Sequence, residues 1–247
     1  MAMLNENELI RYDRQILIDG FGKEGQEKLK KAKVFIAGSG GLGSPVSIYL
    51  AAAGVGTMRI VDCDNVELSN LNRQVLHWSS DIGKEKVNSA AEKLGNLNPY
   101  IKIEAIKETI NESNISQLVG DADVIIDAMD NLETRHLLNR LSLKNSIPFF
   151  HGAVRGFEGR ASTFIPGQTA CFACMNGITL PEQKFPVLGT TAAVIGSIQA
   201  TEVIKYITGL GKLLLNRLLV FNGLTMEFTE YKINMNPECT QCILKND

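Results

Sequence analysis

Four of the five cysteines stand as two C-x-x-C pairs, Cys171/Cys174 and Cys239/Cys242. Two such knuckles can bring four thiolates into a tetrahedron, the arrangement of a closed structural zinc site. The long insertion between them (residues 175–238) is tolerated because each knuckle forms locally. Four protein ligands leave no position for water, so a Zn2+ ion held there would tie the C-terminal tail to the region near residue 170. A redox dithiol pair and a rubredoxin-like iron centre are the alternatives this spacing admits. Cys63 is left over and reads as a small buried side chain.

A second cluster lies earlier. The run Lys33-Val-Phe-Ile-Ala37 ends in Gly38-Ser39-Gly40-Gly41-Leu42-Gly43, a G-x-G-x-x-G. Glycines let backbone approach a phosphate, and the N-terminus of a following helix supplies free N–H donors and a positive dipole. Asp62, about 20 residues on, can accept hydrogen bonds from ribose hydroxyls. These residues alone indicate a nucleotide, with a nicotinamide dinucleotide ahead of ATP.

Downstream groups shift that balance. Ser69-Asn70, Arg73, Lys86 and Asp130-Asn131 surround the same strand ends. Displacing pyrophosphate from ATP needs cations where charge gathers on the leaving group. Arg73 can grip phosphate oxygens in a planar fork and Lys86 can act as a point charge. Asp130 is a candidate Mg2+ ligand. Each has a plainer reading as well: exposed cations are usually solvated, and Asp130-Asn131 could simply cap a helix. Their shared sheet edge makes the set stronger than its members. The histidines all read as structural, with His77 and His136 on polar or helical surface and His151 following an apolar strand.

The elements that must position these residues alternate. Strands are expected at 33–37, 57–61, 101–105 and 122–127. Helices are expected at 9–17, 25–31, 42–53, 84–97 and 132–144. This pattern predicts a Rossmann-like, doubly wound, mainly parallel sheet. Strands are also expected at 149–154 and 159–165, a long helix at 191–207 and closing strands at 218–221 and 226–233, with a functional loop over 168–189 and an antiparallel C-terminal extension to the sheet. One domain, 1–247, is expected, with a nucleotide-binding half at about 1–147.

In order and spacing, several motifs resemble the MoeB/ThiF family, the bacterial and archaeal relatives of ubiquitin-activating E1 enzymes. They are Arg11-Tyr12-Asp13-Arg14-Gln15, the GSGGLGS loop, Asp62, SNLNRQ, GKEKV, DAMDN and the two C-x-x-C pairs. The resemblance covers essentially the whole chain. It implies ATP-dependent adenylation of the C-terminal Gly-Gly carboxylate of a small ubiquitin-like sulfur-carrier protein, of molybdopterin or thiamine type. Pyrophosphate would be released, and the carrier would be bound by the half at about 148–247. It implies that Gly41, Asp62, Asn70, Arg73, Lys86 and Asp130 contact ATP and Mg2+, and it agrees with structural Zn2+ at the cysteines. It further implies a homodimer in which Arg14 reaches the neighbouring subunit's phosphates. Some relatives carry a cysteine before the long helix for covalent carriage, whereas residues 181–191 here have none. With no appended sulfurtransferase domain expected either, sulfur should arrive from a separate sulfurtransferase or cysteine desulfurase.

Bulk properties exclude other classes. A formal charge of −2 gives no footprint for nucleic acid or anionic membrane. No run of about 18 apolar residues occurs, and residues 1–14 have no apolar signal core, so a cytoplasmic protein is expected. An NAD(P) oxidoreductase accounts for the glycine loop and Asp62 but not for Arg73, Lys86 or the knuckles. A non-catalytic nucleotide-binding scaffold leaves the full set of ATP-facing residues without purpose.

Overall fold

A computed structural model describes residues 3–175 and 185–242. The apolar run at the start of the glycine loop forms β1 (Lys33–Ala37), buried except for Lys33. It pairs in parallel with β2 (Thr57–Val61) on one side and β4 (Val124–Asp127) on the other. β3 (Lys102–Ile106) extends the sheet beyond β2, and β5 (Phe149–Arg155) beyond β4. The chain therefore reverses its direction of winding between β1 and β4. Ligands of open α/β sheets collect in the crevice at such a point, outside the carboxyl ends of the strands.

The second half continues the same sheet in the other sense. β6 (Glu158–Phe164), β7 (Arg217–Asn222) and β8 (Glu227–Lys232) are antiparallel, giving the order β3-β2-β1-β4-β5-β6-β7-β8. α3 (Gly22–Lys31), α4 (Gly43–Ala53), α5 (Lys86–Leu97) and α8 (Gly189–Thr208) cover one face around Val34, Ile36, Leu50 and Leu94. α6 (Ile115–Val119) and α7 (Leu132–Asn145) cover the other around Phe35, Ile125, Leu138 and Phe149. Fully burying side chains of this size stabilises by about 1.5–3 kcal/mol each. The mainly parallel sheet and its antiparallel extension are as expected.

Local differences have local causes. The helix expected over 9–17 is two, α1 (Glu6–Arg11) and α2 (Asp13–Ile16), broken at Tyr12. The break turns the Tyr12 ring inward against Gly54, where a Cβ would lie 2.5 Å from it, and gives its hydroxyl an Asn98 donor at 2.8 Å. α5 starts at Lys86 rather than 84, because Gly83 turns at φ +88° and Glu85 is extended. α6, five residues long, is too short to show a helical period and was not anticipated. Of the loop expected over 168–189, Phe172–Met175 form a 3-10 turn and 176–184 lie outside the described residues. No helix among the described residues is long and apolar enough to cross a membrane.

Candidate nucleotide site and cysteine cluster

The glycine loop lies at the reversal point, and its glycines divide into two kinds. A Cβ on Gly43 would come within 2.1 Å of the Gly38 carbonyl, and one on Gly38, at φ +97°, within 2.7 Å of the Ala128 carbonyl. Both are dictated by close packing of α4 on β1 and β4. At Gly40 and Gly41 a Cβ would meet only ordinary contacts, Gln74 at 3.5 Å and Ala192 at 3.6 Å. No contact among the described residues requires glycine there, so close approach of a ligand is the remaining reason for it. The backbone N–H groups of residues 40–43 have no protein acceptor among the described residues. Buried Ser39 Oγ and Gln74 Oε1 likewise have no partner among the described residues. Unsatisfied buried donors and acceptors around an open loop fit a bound polar group.

Charged groups gather beside it. Asp62 accepts from Ser39 N–H at 2.8 Å and from Asp64 N–H at 2.9 Å, so its carboxylate braces the loop. Each oxygen keeps a further lone pair for a ribose hydroxyl. Lys86 opens α5, is buried, and its Nζ lies 2.7 Å from Asp64 Oδ2. The Arg73 side chain lies beside Gly41 and donates to Ser69 O at 2.8 Å and Asn72 Oδ1 at 3.0 Å. Buried Asn70 accepts from Glu67 N–H through Oδ1, which shapes the turn carrying Arg73, while exposed Ser69 donates to Glu67. Asp130 follows β4, exposed and with no partner among the described residues, a free carboxylate suited to a hydrated cation. Asn131 caps α7 by accepting from Thr134 N–H at 2.9 Å.

Arg14 is elsewhere. α2 is tied by Gln15 to the Ala53 carbonyl and α1 by Arg11 to the Leu97 carbonyl, the far ends of α4 and α5. Both helices start at the glycine-loop edge and run back across the sheet, α4 for about 16 Å at 1.5 Å per residue. Arg14 is therefore at the opposite edge from Lys86 of its own chain.

Several residues were not anticipated from sequence. Asp127, fully buried at the end of β4, accepts from Met129 N–H at 3.0 Å and from His151 Nδ1 at 2.7 Å. Arg135 Nε forms an ion pair with it at 3.3 Å without hydrogen-bond alignment, and Arg135 Nη2 donates to the Gly152 and Met129 carbonyls. Gln199 donates to the Asp127 and Phe150 carbonyls. This network fixes the turn that presents Asp130. Burial holds the His151 imidazole below its ordinary pKa, hence neutral. His151 lies within β5, the strand expected over 149–154. His77, expected on the surface, is buried, bonded to Ser89 and to the Ser39 carbonyl. His136 is half-buried with its ring on Phe172. Cys63, expected to be buried, is exposed, because Asp62-Cys63-Asp64 leaves the sheet at the end of β2.

The four paired cysteines come together as expected. Their sulfurs all lie within 4.8 Å of one another, with Cys171–Cys174 at 3.8 Å, Cys171–Cys239 at 3.6 Å and Cys174–Cys242 at 3.5 Å. Tetrahedral Zn–S bonds of about 2.3 Å need sulfur separations near 3.8 Å, so the set can hold zinc. Buried Asn139 of α7 bridges the knuckles, accepting from Phe172 N–H at 3.0 Å and donating to Gln241 Oε1 at 2.6 Å.

Fold and site together define a nucleotide-binding class of protein, with an unsatisfied glycine loop flanked by Lys86, Arg73 and the free carboxylate of Asp130. The ThiF family profile matches residues 12–241, and the chain belongs to that family. It is 40% identical to the SAMP-activating enzyme E1 of Haloferax volcanii, covering 97% of this chain and 90% of that protein. It is 37% identical to the molybdopterin-synthase adenylyltransferase of Escherichia coli (98% and 99% covered). Identity is also 37% to the sulfur carrier protein adenylyltransferase of Thermus thermophilus (96% and 92%). Among solved structures, Escherichia coli MccB with ATP superposes with a TM-score of 0.87 at 26% identity, over 96% of this chain and 75% of that one.

Freshly purified, unchelated protein should contain one zinc per chain. Asn139→Ala should lose it to a chromophoric chelator with affinity lowered about 10–100-fold, the usual effect of removing an outer-shell partner. Substoichiometric metal in the parent protein, or iron in its place, would overturn the zinc assignment.

Proposed function

We infer that this protein is an ATP-dependent adenylyltransferase acting on the C-terminal carboxylate of a small ubiquitin-like sulfur-carrier protein. The observation that carries the reading is the unsatisfied loop, residues 40–43, with Arg73, Lys86 and Asp130 beside it. The near-full-length likeness to proteins named adenylyltransferases of sulfur carriers or of molybdopterin synthase supports it. An oxidoreductase reading has no use for those cations and no relative among these.

A carboxylate oxygen of the carrier attacks the α-phosphorus of ATP. The new P–O bond forms as the bond to the pyrophosphate oxygen breaks, leaving an acyl-adenylate. The carrier's carboxylate is already ionised at neutral pH, so no general base is needed. Catalysis is positioning and neutralisation of the departing charge. The N–H groups of residues 40–43 receive phosphate oxygens, and Asp62 holds the ribose. Lys86 exchanges its Asp64 partner for phosphate, and Arg73 swings from the Ser69 carbonyl to do the same. Asp130 would hold Mg2+, which offsets phosphate charge when bound.

The carrier would end in Gly-Gly, and molybdopterin-type and thiamine-type carriers both suit the site. The enzyme would work as a homodimer, in which Arg14, held at the opposite edge from its own chain's Lys86, would serve the partner's site. No covalent enzyme–carrier link is expected, because residues 181–191 lack cysteine. Sulfur would then come from a separate sulfurtransferase or cysteine desulfurase.

ATP–pyrophosphate exchange should require a Gly-Gly-ending carrier, and Lys86→Ala and Arg73→Ala should each slow it by about 10²-fold or more. Full-rate exchange in both variants would refute the site assignment. Mixing Arg14→Ala with Lys86→Ala subunits tests the dimer. If Arg14 acts across the interface, each heterodimer holds one intact site and activity returns. Silence after verified subunit exchange rejects that role.

A further inference from the structure

His77 is exposed to none of the chemistry above, yet it grips the loop on which that chemistry rests. It is only 3% exposed and makes two hydrogen bonds, Nε2 to the Ser39 carbonyl at 2.9 Å and Nδ1 to Ser89 Oγ at 2.9 Å. A carbonyl can only accept, so Nε2 carries the proton and Nδ1 accepts from the Ser89 hydroxyl. Ser89 Oγ in turn accepts from Lys93 Nζ at 2.9 Å, and Lys93 is held by buried Asp81 and lies over the Trp78 ring. The donors run from Lys93 through Ser89 and His77, and the chain ends on the glycine loop. Burial and the nearby Lys86 and Lys93 charges disfavour an imidazolium, while Asp62 and the Ser39 carbonyl favour one; burial prevails and the ring is neutral.

The Ser39 carbonyl is the acceptor that Gly43 N–H would take if the first turn of α4 began one residue earlier. The first α-type bond of the loop is instead Ser44 N–H to the Gly40 carbonyl, at 2.9 Å. With its own N–H given to Asp62 and its carbonyl to His77, Ser39 is clamped on both sides. The peptide joining Ser39 to Gly40 is planar and trans, so holding its carbonyl toward His77 turns the Gly40 N–H the opposite way.

We propose that His77 is a positioning residue for nucleotide binding: by holding the Ser39 carbonyl toward itself, out of line with the first turn of α4, it keeps the glycine-loop N–H groups, Gly40 and Gly43 above all, unpaired and aimed at the phosphates. The proposal rests on the functional reading above. It concerns affinity for ATP rather than the chemical step, because these contacts serve bound ATP and the departing pyrophosphate alike.

The test compares the parent protein with His77→Gln, which can still offer an N–H to the Ser39 carbonyl, and His77→Leu, which cannot. Magnesium-ATP binding is measured by calorimetry, and exchange kinetics in parallel. His77→Leu should weaken ATP binding and raise the KM for ATP about tenfold, the scale of one lost hydrogen bond to a buried carbonyl. Its kcat should change by less than about threefold, and His77→Gln should restore most of the affinity. A folded His77→Leu protein that binds ATP like its parent overturns the proposal. So does a loss confined to thermal stability and shared equally by both variants. If His77→Leu does not fold, Ser89→Ala, which releases only the far side of the ring, should give a smaller loss of ATP affinity, and unchanged affinity there counts against the proposal. A parent protein that fails to bind ATP refutes the functional reading itself.

Discussion

The contact on which the rest of the structure depends is that between Gly43 and the Gly38 carbonyl. Only because residue 43 carries no side chain can the first turn of α4 lie directly on the end of β1. That approach sets α4 against the sheet and exposes the loop's N–H groups at its carboxyl edge. It also brings Gly38 against Ala128, so the ends of β1 and β4 meet where the strand order reverses. A methyl group at position 43 would separate these layers and spoil packing and site together.

From that edge α7 acts as a beam between the two candidate sites. Its cap follows Asp130, its first turn carries Arg135 onto Asp127, and Asn139 further along spans the cysteine knuckles. A metal at the cysteines would close the tail onto this helix, so that residues distant in sequence brace the strand-end turn near the glycine loop. The buried Asp127, Arg135 and His151 cluster is costly to desolvate, and its geometry is satisfied on nearly every side. Such a cluster fixes one turn conformation more sharply than apolar packing would.

Much of this was legible in the residues. The β-branched run before the glycines, the alternation of strand and helix and the paired cysteines each carry a local signal, and sheet and cluster follow them. What escaped has a physical reason too. Asp127 and His151 sit in strands whose neighbours are apolar, so hydropathy hides polar groups that are buried only because they pair across strands. His77 lies in an irregular segment among exposed residues, Val75 and Trp78, and only the tertiary contact with Ser39 shows that it is inside. Cys63 was misplaced because the short side chain says nothing about a chain leaving the sheet edge. Arg14 shows the reverse case: its motif was readable, but its distance from its own site required the fold.

The N–H groups of residues 40–43, unpaired among the described residues, should be the ones that receive phosphate. Backbone amide resonances of the 15N-labelled protein, followed during titration with a non-hydrolysable ATP analogue and Mg2+, report on each of them separately. The amides of Gly40, Gly41, Leu42 and Gly43 should shift strongly and saturate together, while those of Cys239 to Cys242 should stay put. Saturable binding that moves other amides and leaves these four in place would contradict that role.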